Sequence, residues 1–167
     1  VDGAGRFVSL ADHDRARWDR AMVREGTRVL DAAVGRSSTG GRVGDFQLQA
    51  AIAAVHDRAG TAADTDWPQI VALYHLLEQV TKNPVVTLNR AVATAMADGP
   101  EAGLALVAEV EPQLSEHSRL YVVRGHLHEL AGHPEAAYAD LRAAADRTTD
   151  RRERDHLVRE AARVRPR

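Results

Sequence analysis

The sequence has no cysteine, a single lysine and few aromatic residues. Without thiols it can form no disulfide, no thiolate metal site and no cysteine nucleophile, and the expected location is a reducing compartment, the cytoplasm. Aromatics make up 4% of the 167 residues and no run alternates polar and apolar with period two, so strands have no support. No stretch approaches the roughly 20 apolar residues of a membrane span, and none pairs a charged start with an apolar core as a signal peptide does. An excess of positive charge is lacking too. A formal net charge of −2 leaves no global field to draw the chain onto phosphate backbones or anionic lipid, so direct DNA binding by this chain alone is not expected. Lys82 standing alone among many arginines and alanines is what GC-rich codons produce, and describes a genome rather than a mechanism. The chain opens on valine, from which a piece of a longer protein is expected.

Helical spacing is present along nearly the whole length. Ser9 and Asp12 form a capping arrangement ahead of Trp18, Met22, Val29, Leu30 and Ala33, which recur as one face of a long helix over about 11–35. "GRSSTGGRVGD" (35–45) has no periodicity and reads as a flexible linker, with Asp45 placed to cap a helix from Phe46. "DTDWP" offers Asp66 as a cap and Pro68 for the first turn of the next helix. Asn83 and Pro84 restart a helix to about Ala97. "DGP" at 98–100 breaks it before another from Glu101 to Val110, and further helices follow at 118–131, 134–147 and 151–164.

These helices repeat. Setting Pro100, Glu101 and Ala102 over Pro134, Glu135 and Ala136 gives an offset of 34, under which Ala97 falls on Ala131, Val107 on Leu141 and Arg90 on Arg124. That period is the tetratricopeptide spacing. "LYVVRGHLHELAGHPEAAYADLRAAADR" resembles that repeat: Tyr121 takes the first large position, Gly125 the small crossing position, Ala137 and Ala144 the small positions of the second helix, and Leu141 the large one between them. Two helices cross closely only where side chains are small. One period earlier Thr87, Ala91, Gly103, Val107 and Val110 fill the same places, and a fainter copy lies at about 50–77. The expected fold is all-α, with helical hairpins stacked as a tetratricopeptide-like right-handed solenoid. It forms a single domain over 1–167: N-terminal helix and loop (1–45), hairpin repeats (46–147) and a capping helix (148–167). An unrelated helical bundle is the alternative.

"DHDRARWDRAMVREG" (12–26), "FQLQAAIAAVH" (46–56), "DWPQIVALYHLLEQV" (66–80) and "NPVVTLNRAVATAMADGPEAGLAL" (83–106), in this order, resemble the C-terminal extension of one group of extracytoplasmic-function RNA polymerase sigma factors. The likeness covers nearly the whole chain, apart from the polar, proline-containing stretch from Glu109 to Ser118, which matches no motif. It implies a regulatory, protein-interaction appendage of a transcription initiation factor whose promoter-reading domains lie elsewhere. The implied partners are core RNA polymerase, the factor's own sigma domains, or a separate signalling protein. From the residues themselves, no cofactor and no membrane contact are expected. Neither the likeness nor the residues set the oligomeric state.

Within the repeat, Asn89 and Arg90 occupy positions six and seven of a first helix, where leucine is the commoner seventh residue. Arg90 either turns its guanidinium outward or onto a carboxylate such as Asp66 or Asp98 while its stem packs, or it acts with Arg124 to bind an acidic partner segment in a groove. The candidate protein-binding residues are Leu88, Asn89, Arg90, Val92, Val122, Arg124, His126 and Glu129. The inner-groove positions among them, Leu88, Val92, Val122, His126 and Glu129, are mostly apolar, as suits an amphipathic helix.

Catalytic, cofactor and metal sites find no support. His126 and His128 stand two residues apart, about 200° around a helix, and cannot share an ion. "GRSSTGG" lacks the lysine and the following helix of a phosphate loop. Acid pairs such as Asp64 and Asp66 sit at helix entrances, where caps are expected. Trp18 and Trp67 read as packing anchors. The last stretch, "DRTTDRRERDHLVREAARVRPR", carries eight arginines against five acids but keeps Leu157, Val158, Ala161 and Val164 in a stripe. A capping helix with a charged outer face accounts for it, and a tail contacting DNA or polymerase is the alternative. Three function classes therefore stand: the sigma-factor extension, a free-standing peptide-binding adaptor on the same repeats, and, remotely, an enzyme.

Overall fold

The structure is a computed structural model that describes residues 44–61 and 63–166, together with the isolated helical positions Ala21 and Arg28. The expected helix over about 11–35, with Trp18, and most of the 35–45 linker lie outside the described residues. The described residues contain seven α-helices and no strand. They fall into two compact units, divided between Lys82 and Asn83.

The first unit contains α1 (Asp45–Arg58) and α2 (Trp67–Thr81), packed against each other. Asp45 does not cap α1; it is the first helical residue. The cap is Gly44, whose backbone N–H donates to Gln47 Oε1 at 2.8 Å. Asp66 does cap α2, accepting from the Gln69 N–H at 3.0 Å, with Pro68 in the first turn, where a missing N–H breaks no helical bond. Leu48, Ile52, Val55, Ile70 and Leu77 are buried, and His56 meets the Trp67 ring edge-on at 5.3 Å.

The second unit is a stack of hairpins: α3 (Pro84–Asp98) with α4 (Pro100–Leu114), then α5 (Ser118–Leu130) with α6 (Pro134–Arg147), closed by α7 (Arg151–Val164). Two of the five helices, α3 and α7, start on a side-chain cap. Asn83 accepts from the Val85 N–H at 2.9 Å. Asp150 accepts from the N–H groups of Arg152 and Glu153. Between α3 and α4 the chain turns on Gly99 alone, at φ 99°, a conformation closed to most L-residues.

Helix α4 runs four residues beyond the expected end at Val110. Pro112 lies inside it but in its last turn, so its ring removes a single bond, to the carbonyl of the solvent-exposed Ala108, which water can satisfy. The unmatched polar stretch is therefore partly helix, and this places Glu111 on the stack.

The repeat positions are packing positions. Within each hairpin one alanine faces one glycine, and the helix carrying the glycine alternates: Ala91 opposes Gly103, then Gly125 opposes Ala137. A Cβ on Gly103 would lie 2.6 Å from the Ala91 carbonyl oxygen. One on Gly125 would lie 3.2 Å from Leu141 and 3.4 Å from the Ala137 carbonyl oxygen. The first core joins α3, α4 and α5 through Leu88, Val107, Leu114, Leu120 and Leu127. The second joins α6 and α7 through Leu141, Ala144, Leu157 and Ala161, with Tyr121 packing against both. Complete burial of a leucine contributes about 2 to 3 kcal/mol. Because neither hairpin encloses its own apolar faces, that contribution exists only in the stack.

Candidate functional site

The densest group of ionisable side chains in the second unit is built around Arg124. Its guanidinium makes a two-pronged bond to Asp140, Nε to Oδ2 at 2.9 Å and Nη2 to Oδ1 at 2.7 Å, and its remaining arm reaches Glu111 Oε1 at 2.6 Å. Three helices meet at this cation: α4 brings Glu111, α5 Arg124 and α6 Asp140. Asp140 is 6% exposed, a depth at which a carboxylate needs a partner, and the planar fork of arginine matches its two oxygens. The bonds to Asp140 first, and then those to Glu111, push the Arg124 pKa further above its ordinary value, against the opposing effect of burial. Two guanidinium groups lie over the Tyr121 ring, Arg147 at 4.2 Å and Arg124 at 5.2 Å from its centroid, and its hydroxyl donates to the Ser115 carbonyl at 2.8 Å.

Two further ties join helices of the same stack. Arg119 Nη2 donates to Asn89 Oδ1 at 2.7 Å, linking α5 to α3. Arg163 donates from both terminal nitrogens to Glu129, at 2.6 and 2.8 Å, linking α7 to α5. The bond from Arg163 lowers the Glu129 pKa below the ordinary carboxylate value, although partial burial works the other way.

Of the eight residues proposed for protein binding, three are thus engaged within the chain: Asn89, Arg124 and Glu129 each bridge two helices. Leu88 is 0% exposed and offers no surface to a groove. Val92 is half-buried against the first core and Val122 against the second. Arg90 is half-buried on α3, and His126 is exposed on α5. The equal spacing of Arg90 and Arg124 does not carry an equal environment. Thirty-four residues before Asp140 stands Leu106, and as far before Glu111 stands Leu77, so the two carboxylates that hold Arg124 are not repeated one period earlier in the sequence. Sequence reasoning missed Glu111 and Asp140. Asp140 was detectable as the one acid of α6 at helical spacing with the small positions Ala137 and Ala144; Glu111, in the unmatched stretch, gave no signal.

His128 is half-buried, its Nε2 3.9 Å from Asp140 Oδ2 and its ring centroid 5.7 Å from that of His133. Among the described residues no group of three or more histidine or acidic side chains is arranged to hold a metal ion. In the first unit an open notch of about 400 Å³ is lined by Arg58, Asp64 and Asp66 among others. Asp64 is bonded to the Thr61 hydroxyl and Asp66 to the α2 N-terminus. No helix is long and apolar enough to cross a membrane among the described residues.

The chain is 41% identical over 170 residues to an uncharacterized protein of Rhizobium meliloti (strain 1021), a match that takes in 98% of this chain and 39% of that protein. The chain therefore spans about two fifths of the length of the curated relative it matches. No protein-family model and no solved structure matches it.

Proposed function

We propose that this chain is a protein-interaction scaffold serving as the regulatory extension of an extracytoplasmic-function RNA polymerase sigma factor, in the cytoplasm. Its partners are core polymerase, the factor's own sigma domains or a signalling protein. The observation that carries the reading is the hairpin stack of the second unit, whose 34-residue period coincides with the "NPVVTLNRAVATAMADGPEAGLAL" segment on which the sigma-extension resemblance rests. Two facts support it. The prominent ionic groups bridge one helix to the next, as a docking framework requires. About three fifths of the relative's length lies outside the match, room enough for promoter-reading domains.

The size of the native protein tests this. Captured from its own cells with an antibody to residues 83–167 and digested for mass spectrometry, the sigma-factor extension would yield a much longer chain with peptides from both promoter-reading domains. A product of about this chain's own length would instead favour a free-standing adaptor.

A further inference from the structure

We propose that the outer face of α7 is a docking surface for an acidic amphipathic helix of a partner protein. The proposal rests on the reading of the chain as an interaction scaffold, not on the sigma-factor assignment. Helix α7 stands where a third hairpin would begin: 34 residues after Val123, Leu127 and Leu130 come Leu157, Ala161 and Val164, all buried. On the opposite side the repeat is abandoned. The small crossing position, Ala91 in the first hairpin and Gly125 in the second, becomes Arg159, which keeps any further helix of the stack from close approach and sets a cation in its place.

The arginines of α7 and its C-terminal cap divide by partner. Two are held within the chain: Arg163 by Glu129 and Glu160, Arg154 by the carbonyl oxygens of Ala145 and Thr148. The others, Arg151, Arg152 and Arg159 on the helix and Arg165 at its C-cap, are exposed, and no carboxylate among the described residues is paired with any of them. Between them Val158, 41% exposed, and Ala162 form an apolar seat at helical spacing with Arg151 and Arg165. Arg152 and Arg159 are two turns apart, about 10.5 Å along the axis, the same distance that separates carboxylates seven residues apart on a partner helix. That pattern of apolar seat and flanking cations fits a helix with a leucine stripe edged by Glu or Asp. A nucleic-acid backbone needs a continuous cationic track, which Asp155 interrupts, whereas carboxylates seven residues apart meet Arg152 and Arg159 on either side of it.

The test uses the 167-residue chain and a fluorescently labelled synthetic helix of about 20 residues with glutamates at seven-residue spacing beside a leucine stripe, read by anisotropy. Saturable binding is expected, weakened about tenfold or more in Arg152→Glu/Arg159→Glu and recovered when the peptide's glutamates are replaced by lysines. Thermal midpoints should be unchanged, since these side chains hold nothing in the fold. Should the charge-reversed chain fold poorly, Arg151→Gln/Arg165→Gln serves in its place with a smaller expected loss. Absent binding, equal binding by wild type and variant, equal binding of a scrambled peptide, or preference for a DNA duplex of the same charge each overturns the proposal. Binding that survives charge reversal removes α7 as the site while leaving the scaffold reading intact, and the size of the native protein is indifferent to all of these results.

Discussion

Glu129 and Arg163 stand one repeat apart, 34 residues, and are joined by two hydrogen bonds of 2.6 and 2.8 Å. The period that stacks the hairpins thus also sets the polar contact between α5 and α7. Because Arg163 lowers the Glu129 pKa in the folded state, the pair adds stability above the carboxylate's unfolded pKa of about 4.3, and the contribution is lost as pH falls through the lower folded value. Glu129→Gln should shrink that acid-side dependence without changing neutral-pH secondary structure. Thermal melts at stepped pH from neutral to strongly acid check it, and an unaltered acid profile would contradict the assignment.

The cluster at Arg124 should matter more, because Asp140 is nearly enclosed. Asp140→Ala leaves a guanidinium half-buried with only Glu111, and is expected to cost about 2 to 4 kcal/mol. Glu111→Ala, at the more exposed end of the same cation, should cost about 1 kcal/mol or less. Urea unfolding of both single variants and the double variant would show coupling, since both act on one cation. Strict additivity would mean that the three helices are not joined there.

The alternating glycines give a sharper contrast. Gly103→Ala drives a Cβ to within 2.6 Å of a backbone oxygen and should cost about 1 to 3 kcal/mol despite alanine's better helix propensity. Gly125→Ala meets its neighbours at 3.2 Å and beyond, which small side-chain shifts relieve, so the propensity gain of about 1 kcal/mol should offset most of the loss. Equal melting temperatures for the two variants would show that the crossings are not the close contacts described.

Ending the chain after Thr149 uncovers Leu141, Ala144 and Ala145 of α6, which α7 now buries. The truncated chain should aggregate or melt at a lower temperature. A stable monomer with an unchanged melt would remove α7 from its capping role.

What the sequence disclosed about the fold followed from local chemistry. Asp66, Asn83 and the prolines at 84, 100 and 134 marked helix starts to within a residue, because a cap and a missing N–H act at the position where they stand. The crossing positions were legible for the same reason that small residues recur there. The end expected at Val110 fell four residues short, since a proline in the last turn of a helix removes only one bond. The polar site was less readable. Arg124 drew attention by its position in the repeat, but its partners lie 13 and 16 residues away on other helices, and nothing along the chain links Glu111 to Asp140. Asn89 and Glu129, read as groove residues, join neighbouring helices, a relation that only stacking creates.

The proposed role as the partner-binding extension of a sigma factor is tested most directly by affinity purification of the full-length protein with and without residues 1–167, probed for polymerase subunits and for association with its separated sigma domains. Deletion of these residues is expected to change one of those associations, and residues 1–167 expressed alone to retain it. Identical capture of every subunit and sigma domain by the intact and deleted factors would contradict it.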